Sequence, residues 1–124
     1  MNTKIITQRG LGKTYRIVQK AIETALSDNE NKTVILCGFR PSVEYIVNMI
    51  KNKWNNKLSS RNCIISPTSA TIFLKNNKKI LIDLCKKDTL ISYLVSDYNI
   101  FIDDIDYINI VGENKKFGFS CNIE

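Results

Sequence analysis

The sequence predicts an α/β domain in which helices flank a mainly parallel β-sheet. Short apolar runs rich in isoleucine alternate with longer segments whose apolar residues recur at helical spacing. This alternation is typical of parallel strands joined by crossover helices. A length of 124 residues is sufficient for one hydrophobic core and too short for two. We therefore expect residues 1–124 to form a single minimal domain.

The first predicted strand covers residues 4–7, and a helix follows it from Lys13. Apolar residues recur every three or four positions along this helix and predict one buried face. They are Ile17, Val18, Ala21, Ile22, Ala25 and Leu26. The polar run at 27–32 ends the helix and leads into a β-branched run at 33–37. This run suits a central strand of a parallel sheet.

A second helix is expected from about Ser42 to Trp54. Its predicted inward residues are Val43, Ile46, Val47, Ile50 and Trp54. Further strands are predicted at 62–66, 71–74 and 79–84, and the last two form a hairpin through Asn76-Asn77. Asp88 is expected to cap a short helix. The residues that this helix is predicted to bury are Leu90, Ile91, Leu94 and Val95. Three more apolar runs follow at 98–104, 107–111 and 117–121.

The composition is that of an ordinary folded protein with an excess of positive charge. Lys and Arg number 18 against 12 Asp and Glu, and the formal net charge is +6. This excess favours an anionic partner, although lysines that only keep the surface soluble explain it equally well. Four widely spaced cysteines in a chain without histidine argue against zinc and predict buried free thiols. With no apolar stretch of membrane-spanning length, we expect an intracellular, cytoplasmic location.

The segment from Thr7 to Thr14 has the composition of a phosphate-binding loop. Its two glycines, Gly10 and Gly12, let successive backbone N–H groups turn toward an anion. Lys13 is placed to neutralise the terminal phosphates of a nucleotide, and the Thr14 hydroxyl to hold Mg²⁺. The helix that begins here adds the positive end of its dipole. Against the pattern G-x-x-x-x-G-K-[ST], the one difference is Thr7 in place of the first glycine.

A second element occurs far downstream, where the apolar run at 98–102 ends in Asp103 and Asp104. A buried parallel strand would place these carboxylates at the carboxyl edge of the sheet, beside the phosphate-binding loop. In this order, the loop and the acidic strand end resemble the Walker A and Walker B motifs of the P-loop NTPases. The alternative is an ordinary turn and a solvated acidic strand end.

Three segments together resemble the ATPase core of viral and phage DNA-packaging terminases and of the superfamily 1 and 2 helicases. They are R-G-x-G-K-T at 9–14, G-F-R-P-S at 38–42 and I-F-I-D-D at 100–104. The resemblance covers roughly the first 105 residues. It implies a three-layer, RecA-like P-loop NTPase fold with ATP and Mg²⁺ as cofactors. It also implies nucleic acid as partner, DNA rather than RNA, contacted by Arg40 and Ser42. Such a protein would work as a homo-oligomer or in a larger motor complex, in the host cytoplasm if it is viral.

Phosphoryl transfer needs a phosphate cradle, a metal, an oriented water and positive charge at the transition state. The residues assigned to nucleotide binding are Gly10, Leu11, Gly12, Lys13, Thr14 and Tyr15. Thr14 and Asp103 are the expected Mg²⁺ ligands. Lys13 is assigned to catalysis together with Asp104, which would orient the attacking water where related enzymes usually carry a glutamate. Arg9, inside the loop, is the expected arginine finger.

Functions from different classes remain open. The first is a small ATPase that acts on or with nucleic acid. The second is a non-catalytic module that keeps the fold and binds nucleic acid or a protein through a basic face. The basic residues near the end of the second helix are Lys51, Lys53, Lys57 and Arg61. They are equally well explained as a solvated helix end. A small-molecule kinase is the third, although no arginine-rich lid follows the acidic strand.

Overall fold

The computed structural model describes residues 5–7, 13–27, 31–38, 40–103 and 121–123. In these ranges the chain forms seven strands and three helices. They are β1 (Ile5–Thr7), α1 (Lys13–Ser27), β2 (Thr33–Cys37), α2 (Arg40–Lys53), β3 (Leu58–Ile65), β4 (Ala70–Leu74), β5 (Lys79–Leu84), α3 (Lys87–Val95), β6 (Asn99–Asp103) and β7 (Cys121–Ile123). Short 3₁₀ turns at Asn55–Lys57 and Lys75–Asn77 precede β3 and β5. The apolar run predicted at 107–111 lies outside the described residues, as does most of the run at 117–121.

The described strands form one mixed sheet in the order β3-β4-β5-β2-β6-β1-β7. The pairs β5-β2, β2-β6, β6-β1 and β1-β7 are parallel. Strand β4 pairs antiparallel with both β3 and β5. The antiparallel part includes the predicted hairpin, because the turn at Lys75–Asn77 reverses the chain between β4 and β5. The α/β class and the flanking helices are confirmed, in a small domain whose sheet is mixed.

Strand β6 lies between β1 and β2, although it follows both of them in the chain. Phe101 is in register with Ile6 of β1 on one side and with Ile35 of β2 on the other. All five residues of β2 are buried, as expected for a parallel strand with both faces covered. Because β1, β2 and β6 are parallel, their carboxyl ends meet at one edge of the sheet.

Helices cover both faces of the sheet. On one face, α1 and α2 pack against a large apolar cluster that includes Ile35 and Phe101. On the other face, Leu90 of α3 packs against a smaller cluster from β2 and β6. The strand residues of the smaller cluster are Val34, Leu36, Ile100 and Ile102. Burying one such large apolar side chain stabilises the fold by about 1.5–3 kcal/mol.

The predicted inner faces of α1 and α2 are confirmed. Every predicted apolar position of α1 is buried except Leu26, which is half-buried against the same core. Helix α2 begins at Arg40, two residues before its predicted start, because Pro41 fits a first helical turn, where its missing N–H costs no hydrogen bond. Trp54 lies just past the end of α2 and still packs against the core.

Three local predictions are wrong. Asp88 does not cap α3, because Lys86 is the N-cap and Asp88 lies in the first turn, where its charge still favours the helix dipole. Val95, the last residue of α3, is 72% exposed instead of buried. Strand β3 begins at Leu58, four residues before its predicted start, because Leu58 pairs with Leu74 of β4.

The cysteines with described side chains are Cys37, Cys63 and Cys85, and all three are free thiols. Cys37 is buried and the other two are half-buried, so each one contributes apolar surface to the packing around it. Among the described helices, none has the length and apolar character needed to cross a membrane.

Candidate functional site

The carboxyl edge of the sheet brings together the two sequence elements predicted to form the site. Asp103 is the last residue of β6 and is in register with Cys37, the last residue of β2. On the other side of β6, Ile102 is in register with Thr7, the last residue of β1. Helix α1 begins six residues after Thr7, so its N-terminus returns to the same edge beside Asp103.

Thr14, the second residue of α1, contacts the carboxylate of Asp103 directly. Its Oγ1 lies 3.0 Å from Oδ1 and 2.9 Å from Oδ2, so the single hydroxyl proton is shared between the two carboxylate oxygens. Both side chains are half-buried, and 89 residues separate them in the sequence. The carboxylate also lies at the N-terminal end of a helix, where the helix dipole favours negative charge.

This hydroxyl and carboxylate are oxygen donors of the kind that Mg²⁺ prefers. Within the described ranges, no group of three or more His, Cys, Asp or Glu side chains is placed to hold a metal ion. Mg²⁺ does not require such a group, because it keeps several waters and is usually held by one or two protein ligands together with substrate phosphates. Thr14 and Asp103 therefore fit the part of a magnesium site that a protein supplies to a bound nucleotide.

The other predicted site residues fall in different places. Lys13 opens α1, one residue before Thr14, but its side chain lies outside the described residues. Tyr15 packs its ring against Trp54 with a centroid distance of 5.1 Å. Outside the described residues lie the predicted loop residues and the second acid, which are Arg9, Gly10, Leu11, Gly12 and Asp104.

The two residues expected to contact nucleic acid, Arg40 and Ser42, lie in the first turn of α2. The Arg40 guanidinium lies 3.5 Å from the Glu44 carboxylate, and both side chains are substantially exposed. A surface pair of this kind contributes little to stability. Ser42 is half-buried. Because α2 follows β2 directly, its first turn begins at the same edge of the sheet as Thr14 and Asp103.

A second carboxylate near this edge, Asp83 of β5, was given no role from the sequence. It accepts hydrogen bonds from the Tyr93 hydroxyl at 2.8 Å and from the Leu84 backbone N–H at 2.8 Å. Burial raises the pKa of Tyr93 above its ordinary range, and the hydrogen bond and negative charge of Asp83 raise it further. The sequence signal was the same as for Asp103, an apolar strand that ends in an acid.

Asp83 and Asp103 face opposite sides of the sheet. Asp103 shares a register row with Cys37, whose side chain is in the cluster beneath α1 and α2. Asp83 shares the next row with Leu36 and Ile102, which belong to the cluster beneath α3. Because successive residues of a strand point to opposite faces, only Asp103 is directed toward the start of α1.

Comparison with known proteins adds no family to this geometry: no protein-family model matches the sequence, and no curated protein matches it. The function must therefore be inferred from the residues of the chain and their arrangement.

Proposed function

We propose that this chain is a small P-loop ATPase that binds ATP–Mg²⁺, hydrolyses it, and acts on or with nucleic acid. One observation carries the proposal, which is the hydrogen bond between Thr14 at the start of α1 and Asp103 at the end of β6. A phosphate site with Mg²⁺ needs a hydroxyl after the loop lysine and an acid on a neighbouring strand. The sequence motifs supply both residues, and the fold brings them into contact.

In this proposal each part of the site has one task. Backbone N–H groups at residues 9–12 cradle the phosphates, and Lys13 neutralises the β and γ oxygens. Thr14 and Asp103 would hold Mg²⁺, directly or through water, and the ion would supply positive charge that offsets the negative charge developing on the phosphates. The contact seen between the two side chains keeps both oxygen donors at the N-terminus of α1.

Two further residues, Asp104 and Arg9, are proposed to assist catalysis. Asp104 would orient the attacking water, with a shorter reach than the glutamate usual at this place. Arg9 would supply positive charge to the transition state from within the loop. The proposal extends to a three-layer RecA-like arrangement, supported by helices on both faces of the sheet. The antiparallel strands β3 and β4 are a departure from a mainly parallel sheet.

The test removes the hydroxyl that carries the proposal. Thr14→Val keeps the shape of the side chain, and we expect it to lower Mg²⁺-dependent ATP turnover about 100-fold because a metal ligand is lost. Thr14→Ser restores the hydroxyl and should recover most of the turnover. Phosphate release measures turnover, and titration with a fluorescent ATP analogue, with and without Mg²⁺, measures binding. Lys13→Ala should abolish both.

Thr24→Val is the matched control, because it makes the same change on the same helix, ten positions away from Thr14 at the other end of α1. We expect native turnover from this variant. Equal turnover in Thr14→Val and the native chain would refute the proposed site. Binding of ATP without turnover, with or without added DNA, would instead favour the non-catalytic module.

A further inference from the structure

A polar cleft of about 460 Å³ lies on the far side of the molecule from Thr14 and Asp103. Strands β3 and β4, the turn at Lys75–Asn77 and the first residue of β5 form its walls. Lys79 begins β5, and the next residue, Ile80, is in register with Thr33 at the start of β2. The cleft therefore lies at the amino edge of these parallel strands, whereas the Thr14–Asp103 contact lies at the carboxyl edge.

An irregularity in β3 shapes this cleft. Leu58 pairs with Leu74 and Cys63 pairs with Ile72, so β3 advances five residues where β4 advances two. The additional residues bend β3 locally, as in a β-bulge. Asn62 has a φ of 67°, in the left-handed region that asparagine tolerates better than most residues. The bulged segment, residues 59–62, carries Arg61 over the neighbouring strand.

The side chains around the cleft combine positive charge with a flat stacking surface. Arg61, Lys78 and Lys79 supply three cations, and no carboxylate is among the described residues that line the cleft. The Arg61 guanidinium lies over the Phe73 ring, 4.2 Å from its centroid, in a cation–π contact. This contact holds the guanidinium against the ring, and the Arg61 side chain remains exposed on the surface, where a second planar group can reach it.

Amide side chains complete the lining. Asn76 and Asn77 both have positive φ values, 65° and 61°, which hold the tight turn between β4 and β5. Both are exposed and line the cleft. Amide groups donate and accept hydrogen bonds, which allows contact with the polar edges of a base.

We infer that this cleft binds single-stranded nucleic acid, with phosphates at Lys78 and Lys79 and a base stacked on the Arg61 guanidinium. Proteins that bind single strands combine a positive groove with flat side chains on which bases stack, and arginine planes serve this purpose. The volume of about 460 Å³ lies within the range of small-ligand pockets, and stacking on Arg61 requires an unpaired base. The inference rests on the proposed function for the class of partner, but it uses none of the nucleotide-site residues.

The experiment measures fluorescence anisotropy of labelled oligonucleotides of about 12 nucleotides, oligo-dT and oligo-U, on the full chain. The cleft variant is Arg61→Gln with Lys79→Gln. Its control is Lys20→Gln with Lys86→Gln, which also removes two positive charges, one on α1 and one just before α3, from lysines that do not line the cleft. We expect about tenfold weaker binding by the cleft variant and native binding by the control. The slope of log K against log salt should also become shallower by about 0.7, because Lys79 is the one proposed phosphate contact that this variant removes and each single-strand contact contributes about 0.7.

Arg61→Lys separates stacking from charge. It keeps the positive charge and loses the planar guanidinium, so we expect weaker binding with the salt dependence of the native chain. Native affinity in this variant would overturn the stacking role. Equal weakening in the cleft variant and its charge control would overturn the site, as would binding of a duplex as tight as that of either single strand.

These measurements test the proposed cleft and the proposed nucleotide site independently. The cleft variant should bind ATP–Mg²⁺ as the native chain does, whereas Thr14→Val should keep native affinity for the oligonucleotide. Oligonucleotide binding without ATP turnover would refute the proposed ATPase and leave the cleft. ATP turnover with no affinity for either oligonucleotide would refute the cleft and leave the ATPase. Circular dichroism of every variant verifies that it is folded.

Discussion

Strands β5 and β6 look alike in sequence, but their aspartates contact different helices. Both strands are apolar, both pair in parallel with β2, and each carries an aspartate at its carboxyl end. Asp103 of β6 accepts a hydrogen bond from the hydroxyl of Thr14 at the start of α1. Asp83 of β5 accepts a hydrogen bond from the hydroxyl of Tyr93 in α3. An acid at a strand end is therefore only half of a site, because its hydrogen-bond partner determines which helix it contacts.

One residue of register produces this difference. Asp103 is the last residue of β6 and lies level with Cys37 and Leu84, whereas Asp83 is the last residue but one of β5. A shift of one position along a strand moves a side chain to the other face of the sheet. Asp103 therefore faces α1, and Asp83 faces α3, the helix that leads into β6.

The largest expected effect comes from the same substitution at the two acids. Asp103→Asn removes the negative charge proposed to hold Mg²⁺, and we expect Mg²⁺-dependent ATP turnover to fall about 100-fold or more. Asp83→Asn should leave turnover within about twofold of the native chain, because Asp83 faces away from Thr14. Phosphate release at saturating ATP–Mg²⁺ measures both variants.

The complementary measurement is stability. Asp83→Asn keeps an oxygen acceptor but loses the charge that strengthens its bonds, so urea denaturation should show a loss of about 1 kcal/mol. If Asp103→Asn and Asp83→Asn lowered turnover equally, at matched folded fractions, the face of the sheet on which each aspartate lies would not determine its role in turnover.

Much of the fold could be predicted from the sequence because local periodicity determines which residues are buried. The inner faces of α1 and α2 and the bounds of β2 and β5 are examples. The position of β6 between β1 and β2 could not be predicted, because it depends on pairing between residues nearly 100 positions apart. The early start of β3 had no signal either, since Ser59, Ser60 and Arg61 are polar and the strand begins earlier only because Leu58 pairs with Leu74 of β4.

The candidate site was predictable to a similar extent. The loop motif and the acidic strand end together predicted that Thr14 and Asp103 would lie close, and the structure places them in hydrogen-bond contact. The pattern of an apolar strand with an acid at its end could not distinguish the role of Asp83 from that of Asp103, because the sequence does not show which face of the sheet each acid occupies. The contact of Arg61 with Phe73 could not be predicted either, since it depends on a bulge in β3 that no local sequence pattern indicates.

A smaller effect is expected from removing the partner of Asp83. Tyr93→Phe deletes the hydroxyl that donates to the carboxylate but keeps the ring, whose edge-to-face contact with Tyr98 has a centroid distance of 4.7 Å. A hydrogen bond to a charged group that is half-buried contributes about 1–2 kcal/mol, so urea denaturation should show a loss of that size. Turnover should stay native.

Tyr45→Phe is the control for this substitution, because Tyr45 is 59% exposed on α2. It should change the free energy of unfolding by less than about 0.5 kcal/mol. Equal losses from Tyr93→Phe and Tyr45→Phe would mean that the bond to Asp83 does not hold α3 on the sheet.

The smallest effect is a dependence of stability on alkaline pH. Burial and Asp83 raise the pKa of Tyr93 in the folded chain, whereas in the unfolded chain a tyrosine titrates near its ordinary value of about 10. Below that pH the contribution of Tyr93 to stability is complete. As the pH rises above about 10, the unfolded state releases the phenol proton while the folded state retains it, so the free energy of unfolding falls. Tyr93→Phe has no such proton, and its stability should decline less steeply over the same range.

Urea titrations of both proteins at about pH 8, 9.5 and 10.5 give the difference in their free energies of unfolding. We expect this difference to shrink toward the highest pH, and a constant difference would show that Tyr93 is not held protonated by its position against Asp83.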